Sequence, residues 1–506
     1  MGRKILFVTT DQQRYDSLGC NGGTVARTPV LDRLAAEGVN YRRAMNQNVV
    51  CMPARSSMLT GQYVRTHGVY ANGVPLPDDA PSIAEYLHAH GYRTALLGKA
   101  HFEPAFDLEG RWPENRFARE GSTGPHRGFE HLELAMHGPI PLWHYGKWLL
   151  EQPGHHERGF YQLFKGDQLN GEPGGETGAP QVAINPVPRD LYHTDWTAER
   201  ALEWLKTVSN DEDWFCWVSF PDPHHPWDPP SSELGRVDWR DLELPEGNPG
   251  SLEACRKVLE GKPRHWLAYF EGWHSNLEGG PTTFVPATMT HDQVREVNAL
   301  THIENELIDE AVGRILAYVD ERGWTADTDV VFTTDHGELQ GDFGMLFKGP
   351  YHCEALMRLP MIWRPAPSAG IAPAVVEEPV GQLDLAPTFA TIAGLPVPEW
   401  VQGAPLPTAP GSGRERVLTE WDSQFRTEDL HLRSMYRDGW LVTAYEPGGG
   451  YDGTEGELYD LGEDPRQWQN LWDDPGYRAR RDELVTDLYD SLPPPRPDRL
   501  SVEAPV

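Results

Sequence analysis

The run KILFVTTDQQ, residues 4–13, is the first regular element of the chain and sets the type of fold. Its first seven residues are mostly β-branched or apolar, a pattern typical of parallel strands that are covered on both faces. We predict a buried strand from Lys4 to Thr10. The run turns polar at Asp11 and Gln12. Because α/β sheets bind ligands at the carboxyl ends of their strands, these two residues are predicted to face a functional site.

Strand and helix patterns alternate along most of the chain. Capping residues, apolar spacings of three or four and terminal glycines predict helices at 28–38, 82–91, 291–322 and 385–393. Short apolar runs predict strands at 92–97, 214–220 and 329–334, with a further strand around Met361. This alternation predicts an α/β fold with a large, mostly parallel sheet that is sandwiched by helices.

The carboxyl-terminal part has a different pattern, beyond a segment at 396–413 that is rich in Pro and Gly. Short strands separated by turn residues are followed by one helix at 477–492, which predicts a small antiparallel sheet with a helix. We therefore predict a catalytic domain over 1–400 and a small α+β subdomain over 414–506. Two irregular insertions, predicted to shape the substrate pocket, lie around 102–211 and 228–290.

Composition narrows the range of partners. The 506-residue chain has 44 Lys and Arg against 76 Asp and Glu, a formal charge of -32. This charge argues against nucleic acid and anionic membranes, but a small anionic substrate can still bind where basic residues are focused in one cleft. Five cysteines without a CxxC pair fit a reducing compartment. No apolar run approaches the roughly 20 residues needed to span a bilayer, so a soluble, cytoplasmic protein is predicted.

Polar residues follow the predicted strands at four places: Asp11 with Gln12, Lys99 with His101, His224 with His225, and Asp335 with His336. Taken singly, such residues are more often strand-end caps, helix caps or turn residues. Taken together at one edge of a sheet, two carboxylates, an amide oxygen and an imidazole form a ligand set for Ca, Mg or Mn. On extended chain, Lys99 and His101 would point to the same side and reach one oxygen-rich ligand.

The segment NVVCMPARSSMLTGQY, residues 48–63, is the predicted centre of the chemistry. Its residues after Arg55 favour a helix that ends at Gly61, which places Cys51 at the amino end beside unpaired N–H groups. Such a position holds an anion well. The alternative is that Cys51 is a small buried hydrophobe without a chemical role.

Several ordered motifs resemble those of one family. CMPAR with LTG resembles the first sulfatase signature and GYRTALLGKAH the second, and further matches are PHHP at 223–226, TDHGELQGDFGMLFKG at 334–349, DLAPTFATIAG at 384–394 and ELYDLGEDP at 457–465. The chain thus resembles the type I sulfatases and the related phosphonate monoester hydrolases of the alkaline phosphatase superfamily. The resemblance implies an alkaline phosphatase-like fold and a homodimer or homotetramer.

The resemblance also implies roles for individual residues. Cys51 would be oxidised by a formylglycine-generating enzyme to formylglycine, whose hydrate is the nucleophile. One divalent metal ion, Mn or Ca, would be held by Asp11, Gln12, Asp335 and His336. Arg55 would support the nucleophile, and the ester oxygens would be surrounded by Lys99, His101, His224 and Lys348, with His224 or His101 assisting the leaving group. Asn72 would be a further substrate contact.

Two positions separate the branches of this family. Many sulfatases carry an aspartate in place of Gln12 and an asparagine in place of His336, so this pair looks more like the branch that cleaves phosphonates and phosphodiesters. We predict an arylsulfatase-like, metal-dependent hydrolase of sulfate monoesters that acts on a small anionic ester. The alternatives are a phosphonate monoester hydrolase or phosphodiesterase that uses the same site, and a non-catalytic relative that only binds anions.

Overall fold

The structure, a computed structural model, describes residues 3–105, 107, 109–137, 142–153, 174–274, 283–423 and 429–503. Parts of both predicted insertions lie outside these ranges. Within the described chain, no helix combines the length and the apolar character needed to cross a membrane.

A large sheet forms the centre of the molecule. In the described residues it has nine strands: β1 (Lys4–Thr10), β2 (Val39–Met45), β3 (Arg93–Gly98), β4 (His131–Leu134), β5 (Trp214–Ser219), β6 (Thr328–Thr334), β7 (Arg358–Leu359), β8 (Met361–Arg364) and β9 (Ala374–Gly381). Their order is β4-β3-β5-β1-β6-β8-β2-β7, with β9 paired to β2. Five neighbouring strands, in the order β4-β3-β5-β1-β6, are mutually parallel. Strand β8 runs antiparallel to both of its neighbours, β6 and β2.

Helices lie on both faces of this sheet and also in the carboxyl-terminal part of the described chain. They are α1 (Pro29–Glu37), α2 (Cys51–Thr60), α3 (Val64–His67), α4 (Ile83–Ala89), α5 (Pro113–Glu120), α6 (His144–Leu150), α7 (His193–Thr207), α8 (Leu252–Glu260), α9 (Arg264–Phe270), α10 (His291–Glu321), α11 (Glu354–Met357), α12 (Leu385–Ile392) and α13 (Arg478–Ser491). Successive residues of β1 enter two different cores, with Ile5 and Phe7 on one face and Leu6 and Val8 on the other. Both faces of the first strand are therefore covered, as its unbroken apolar run predicts.

The carboxyl-terminal part forms a second sheet of antiparallel strands in the order β10 (Arg416–Asp422), β11 (His431–Arg437), β12 (Trp440–Tyr445) and β13 (Gly456–Asp460). The helix α13 packs on it through Leu484 and Leu488. The opposite face of this second sheet forms a core with residues that precede it in the chain, including Val50 and Trp266. The sheet and its helix confirm the predicted fold class, while the proposed domain boundaries stay a prediction.

Four strands of the large sheet were not predicted: β2, β4, β7 and β9. β2 contains Arg42 and Arg43, β9 contains Glu377 and Glu378, β4 has only four residues and β7 has only two. Arg43 is satisfied inside the fold because its guanidinium binds Glu354 at 2.8 Å. Tertiary ion pairs of this kind cannot be recognised from local sequence.

Candidate active site

The strand order brings the four predicted strand ends together. β3, β5, β1 and β6 are neighbours in the sheet and run parallel, so their carboxyl ends lie at one edge. Thr10 pairs with Thr334, which places Asp11 beside Asp335. Gly98 has a φ of 100°, and a Cβ there would lie 1.9 Å from the Ser219 carbonyl oxygen. Only glycine allows the ends of β3 and β5 to approach this closely.

Cys51 is the first residue of α2, as the sequence predicts. Asn48 Oδ1 accepts the Val50 N–H at 3.0 Å, and Asn72 Oδ1 accepts the Met52 N–H at 2.9 Å. These two side chains satisfy backbone donors that a helix start leaves unpaired. Asn72 therefore positions the helix that carries Cys51, and its role as a substrate contact stays a prediction.

Basic and imidazole groups surround the Cys51 sulfur. His336 Nε2 and Lys348 Nζ each lie 3.2 Å from Sγ, Lys99 Nζ lies at 3.5 Å and Asp11 Oδ1 at 3.7 Å. Burial and the Asp11 charge raise the pKa of the thiol to about 11, although both lysines oppose this shift. Since the thiolate is the reactive form of cysteine, the unmodified thiol is a poor nucleophile near neutral pH.

Arg55 contacts groups at the carboxyl ends of four strands through its guanidinium. Its Nε donates to Asp335 Oδ2 at 2.9 Å and its Nη2 to Asp11 Oδ2 at 3.2 Å. Nη1 donates to the Lys99 carbonyl and to Ser219 Oγ, both at 2.8 Å. The side chain is fully buried. One guanidinium therefore compensates two buried carboxylates and binds groups at the ends of β1, β3, β5 and β6.

The donor set fits a divalent cation. Ligand atoms of Asp11, Cys51, Asp335 and His336 all lie within 4.8 Å of one another, and all four residues are buried. His336 Nδ1 lies 2.9 Å from the Gly337 carbonyl, so the ring donates there and Nε2 keeps its lone pair towards Asp11. Metal-binding histidines are commonly fixed in this way by a backbone carbonyl. Burial lowers the pKa of His336 to about 4, which keeps the ring neutral.

Gln12 and Lys348 complete this side of the site. Gln12 has a φ of 63°, and its N–H donates to Asp335 Oδ1 at 3.0 Å. Lys348 Nζ contacts Gln12 Oε1 at 2.9 Å and His224 Nε2 at 2.8 Å. Burial opposes the charge of Lys348, but its interactions with Cys51, Asp11 and Asp335 together raise its pKa. Lys348 therefore holds a positive charge next to the sulfur.

His224 and His225 occupy different positions. His224 Nδ1 lies 2.5 Å from the His225 carbonyl, so the neutral ring donates there and its Nε2 accepts from Lys348. His225 Nδ1 lies 3.0 Å from Gln12 Nε2. Both rings are buried, and burial holds their pKa values well below the usual range. The sequence analysis gave His225 no role. The structure places it in contact with Gln12, a predicted metal ligand.

His137 is a member of the site that the sequence did not identify. Its Nε2 lies 2.9 Å from Lys99 Nζ, and its ring stacks on His224 with centroids 3.6 Å apart. It follows β4 by three residues, the same strand-end placement that singled out the other polar residues. This placement could not be predicted from the sequence because β4 is too short to be recognised as a strand.

His101 is a buried histidine close enough to feel the charges of Lys99 and Arg55. Its φ of 56° shows that the backbone is not extended at His101, and the expectation that Lys99 and His101 reach one ligand stays a prediction. Glu114 accepts the His101 N–H at 3.2 Å and the Phe102 N–H at 2.9 Å and so holds this turn. Both ring nitrogens of His101 are buried and have no hydrogen-bond partner among the described residues.

Known proteins resemble this chain over nearly its whole length. A sequence model of the family described as Sulfatase matches residues 3–395. An arylsulfatase of Clostridium perfringens is 25% identical, with 97% of this chain and 95% of the relative covered. The multifunctional alkaline phosphatase superfamily protein PehA of Trinickia caryophylli is 26% identical, with 94% and 92% covered.

Solved structures share the fold. A phosphonate monoester hydrolase from Silicibacter pomeroyi superposes with a TM-score of 0.77 at 23% identity, covering 96% of this chain and 94% of its own. The phosphonate monoester hydrolase of Agrobacterium radiobacter gives a TM-score of 0.75 at 23% identity, with 96% and 95% covered. At these identities the likeness establishes the alkaline phosphatase-like fold.

Proposed function

The chain belongs to the sulfatase family, within the alkaline phosphatase superfamily, and we propose that it hydrolyses sulfate monoesters through a nucleophile made from Cys51. The observation that carries this proposal is the position of Cys51 at the start of α2, between two lysines, an imidazole and a carboxylate. A buried thiol whose pKa is raised to about 11 is unsuited to attack an ester itself. A modified side chain at the same place removes this difficulty.

The modification proposed is oxidation of Cys51 to formylglycine by a formylglycine-generating enzyme. One hydroxyl of the hydrated aldehyde loses its proton and forms a bond to sulfur, the ester O–S bond breaks, and the leaving oxygen takes up a proton and departs as the alcohol. The second hydroxyl then loses its proton, the carbonyl re-forms, and the bond between the side-chain carbon and the sulfate oxygen breaks. Sulfate is released, the aldehyde returns, and addition of one water restores the hydrate. A serine has only one hydroxyl and would need water to attack the covalent intermediate.

The residues that would hold a divalent cation are Asp11, Gln12, Asp335 and His336. When bound, such an ion supplies positive charge that lowers the pKa of a coordinated hydroxyl. The geometry that supports this is the buried cluster of ligand atoms and the fixed tautomer of His336. An imidazole among the ligands favours Mn over Ca, because calcium prefers oxygen ligands.

The remaining charged groups are proposed to bind the ester. Lys99 and Lys348 lie within 3.5 Å of Cys51 Sγ and would face the nonbridging oxygens of a substrate that reacts there. Lys348 and His224 are in contact at 2.8 Å. We assign to this pair the proton that the departing alkoxide receives, since His224 Nε2 faces Lys348 and the site. His101 contributes unpaired ring nitrogens to the same region.

A second candidate function is hydrolysis of phosphonate monoesters or phosphodiesters. Gln12 and His336 favour it, and so do the two solved structures, which are described as phosphonate monoester hydrolases. A sulfate monoester and a phosphodiester each carry one negative charge, so the cationic groups of the site cannot exclude either. A third candidate, an anion-binding relative without catalysis, requires that Cys51 stays a thiol.

Comparison of two substrates decides between the first two candidates. Protein produced with a formylglycine-generating enzyme is assayed with an aryl sulfate and an aryl phosphonate monoester that share the same leaving group. We expect the higher kcat/KM with the sulfate and detectable turnover of the phosphonate. A large preference for the phosphonate would overturn the sulfatase assignment. The Cys51→Ala variant serves as the control for contaminating hydrolases.

A further inference from the structure

Glu338 is a fully buried carboxylate in the site, and the proposed chemistry gives it no role. It lies two residues after His336, in the motif TDHGELQG. Its Oε2 accepts a hydrogen bond from Gln12 Nε2. Its Oε1 accepts the backbone N–H groups of Phe347 and of Gln340, the latter at 3.2 Å. Each oxygen of this carboxylate thus faces only donors.

The partners of Gln12 determine which end of its amide faces the cation site. Nε2 donates to Glu338 and lies 3.0 Å from His225 Nδ1, so both of its hydrogens are engaged. Oε1 lies 2.9 Å from Lys348 Nζ, in the part of the site that contains Cys51 and His336. Because the oxygen and the nitrogen of an amide have nearly the same shape, only hydrogen-bond partners can select between the two orientations.

We propose that Glu338 is a positioning residue that holds the Gln12 amide with its oxygen towards the cation site. The same arrangement makes His225 Nδ1 an acceptor, so the neutral His225 ring carries its proton on Nε2. Glu338 thereby sets both a cation ligand and the tautomer of a histidine that lies beside it. The inference rests on the proposed function only in assigning Gln12 to the cation.

A purely structural role predicts something different. If Glu338 served only to accept the N–H groups of Phe347 and Gln340, the effect of changing Glu338 would not depend on which side chain stands at position 12. The two roles are separated by exchanging the side chains of the contacting pair. Glu338→Gln leaves a donor facing a donor in either orientation of the new amide, because Gln12 Nε2 and the two backbone N–H groups all need acceptors. Gln12→Glu places two carboxylates in contact, which repel each other.

The double variant Gln12→Glu with Glu338→Gln restores a complementary pair with the same total charge. The amide introduced at position 338 donates to one oxygen of the carboxylate introduced at position 12 and keeps its own oxygen for the backbone donors. The other oxygen of that carboxylate then faces the cation site. The measured quantity is the affinity of the full-length, metal-free protein for Mn²⁺ alone, obtained by calorimetry without substrate. Glu457→Gln, which alters a buried carboxylate in the carboxyl-terminal sheet, is the control for general effects of such a change.

We expect Glu338→Gln to weaken Mn²⁺ binding at least about tenfold, the effect of losing one well-placed partner of a ligand. The double variant should bind at least as tightly as the wild-type protein, and Glu457→Gln should match the wild type. Wild-type affinity in Glu338→Gln, or a double variant no tighter than either single variant, would overturn the inference. If Glu338→Gln does not fold, the comparison of Gln12→Glu with the double variant decides alone. A wild-type protein that binds no Mn²⁺ would contradict the cation site of the proposed function itself.

Discussion

Arg55 explains how two buried carboxylates can lie side by side at the ends of β1 and β6. Asp11 and Asp335 are both fully buried, and burial of an unpaired carboxylate is strongly unfavourable. Burial alone would raise the pKa of Asp11, but Lys99 and Arg55 hold it well below its usual range. The site is therefore charged in the resting protein and balanced by cations that the fold places there.

Residues at the ends of long strands were predictable from the sequence. Asp11 and Asp335 follow unbroken apolar runs, and Cys51 begins a recognisable helix. His137 and Glu338 could not be found in the same way. The first follows a strand of four residues, and the second acts through contacts with Gln12 and Phe347 that only the fold creates.

The contact between His137 and Lys99 leads to a prediction for catalysis. His137 Nε2 lies 2.9 Å from Lys99 Nζ and its ring stacks on His224. His137→Ala should lower kcat/KM for the preferred ester about tenfold to a hundredfold, because a hydrogen bond to a charged group is worth about 1.5–3 kcal/mol. Steady-state kinetics with separate kcat and KM values test this.

The matched control is His131→Ala, in the first residue of β4. Its imidazole lies 3.1 Å from Glu133 and has no contact with the site residues described above. This variant should keep the wild-type kcat/KM. Equal losses in His131→Ala and His137→Ala would indicate damage to β4 and contradict a specific role for His137.

At the scale of elements, α2 and α3 are joined by a buried histidine. His67 Nδ1 accepts the Val69 N–H at 3.1 Å, so the neutral ring carries its proton on Nε2 and donates to Ser57 Oγ at 3.0 Å. Burial, with a smaller contribution from Arg496, lowers the pKa of His67 to about 3. The folded state therefore holds this ring neutral where the unfolded chain protonates it.

This shift predicts how stability depends on pH. The contribution of neutral His67 is fully present above its unfolded pKa of about 6.5 and is lost progressively as pH falls towards the folded value. Between pH 7 and pH 5 the wild-type protein should lose about 2 kcal/mol more unfolding free energy than His67→Gln. Urea unfolding at the two pH values measures the difference.

The exposed His88 supplies the control for this measurement. His88→Gln removes a histidine whose side chain is 51% exposed, and the pH dependence of this variant is the reference for that of His67→Gln. A wild-type slope in His67→Gln would contradict a burial penalty at His67.

The regular elements divide in the same way into those that local sequence predicts and those that it does not. β1 has the predicted bounds, and α10 starts at the predicted His291 with a capping box at Thr290. Strong local signals decide these elements. β2 and β9 pair with each other near the border of the large sheet, where charged residues replace the apolar pattern. Their strand character comes from pairing partners that are distant in sequence.

At the scale of the whole molecule, the second sheet is packed against the unit that carries the site. Lys262 is buried against Glu457 at 3.5 Å, and its ammonium lies 4.4 Å from the ring centroid of Trp266. Asn48, which caps the start of α2, donates to the Glu420 carbonyl at 2.7 Å. The carboxyl-terminal sheet thus supports the segment that holds Cys51, although the two sheets are separate in topology.

The chain as a whole is strongly acidic, but its site also contains buried cations. The chain has a formal charge of -32, yet Lys99, Lys348 and Arg55 are buried around Cys51. Local positive charge of this kind binds a small anion within a negative envelope. These buried cations fit the anionic esters proposed as substrates, and they do not separate sulfate from phosphonate esters.

The most direct test of the central claim relates turnover to the chemical state of Cys51. Batches of protein produced with different amounts of formylglycine-generating enzyme are analysed by mass spectrometry for the fraction of aldehyde at residue 51. The initial rate with the preferred ester is then plotted against this fraction. We predict a straight line through zero, with no turnover by Cys51→Ala. A rate that does not depend on the aldehyde fraction, or that persists in Cys51→Ala, would contradict a nucleophile made from Cys51.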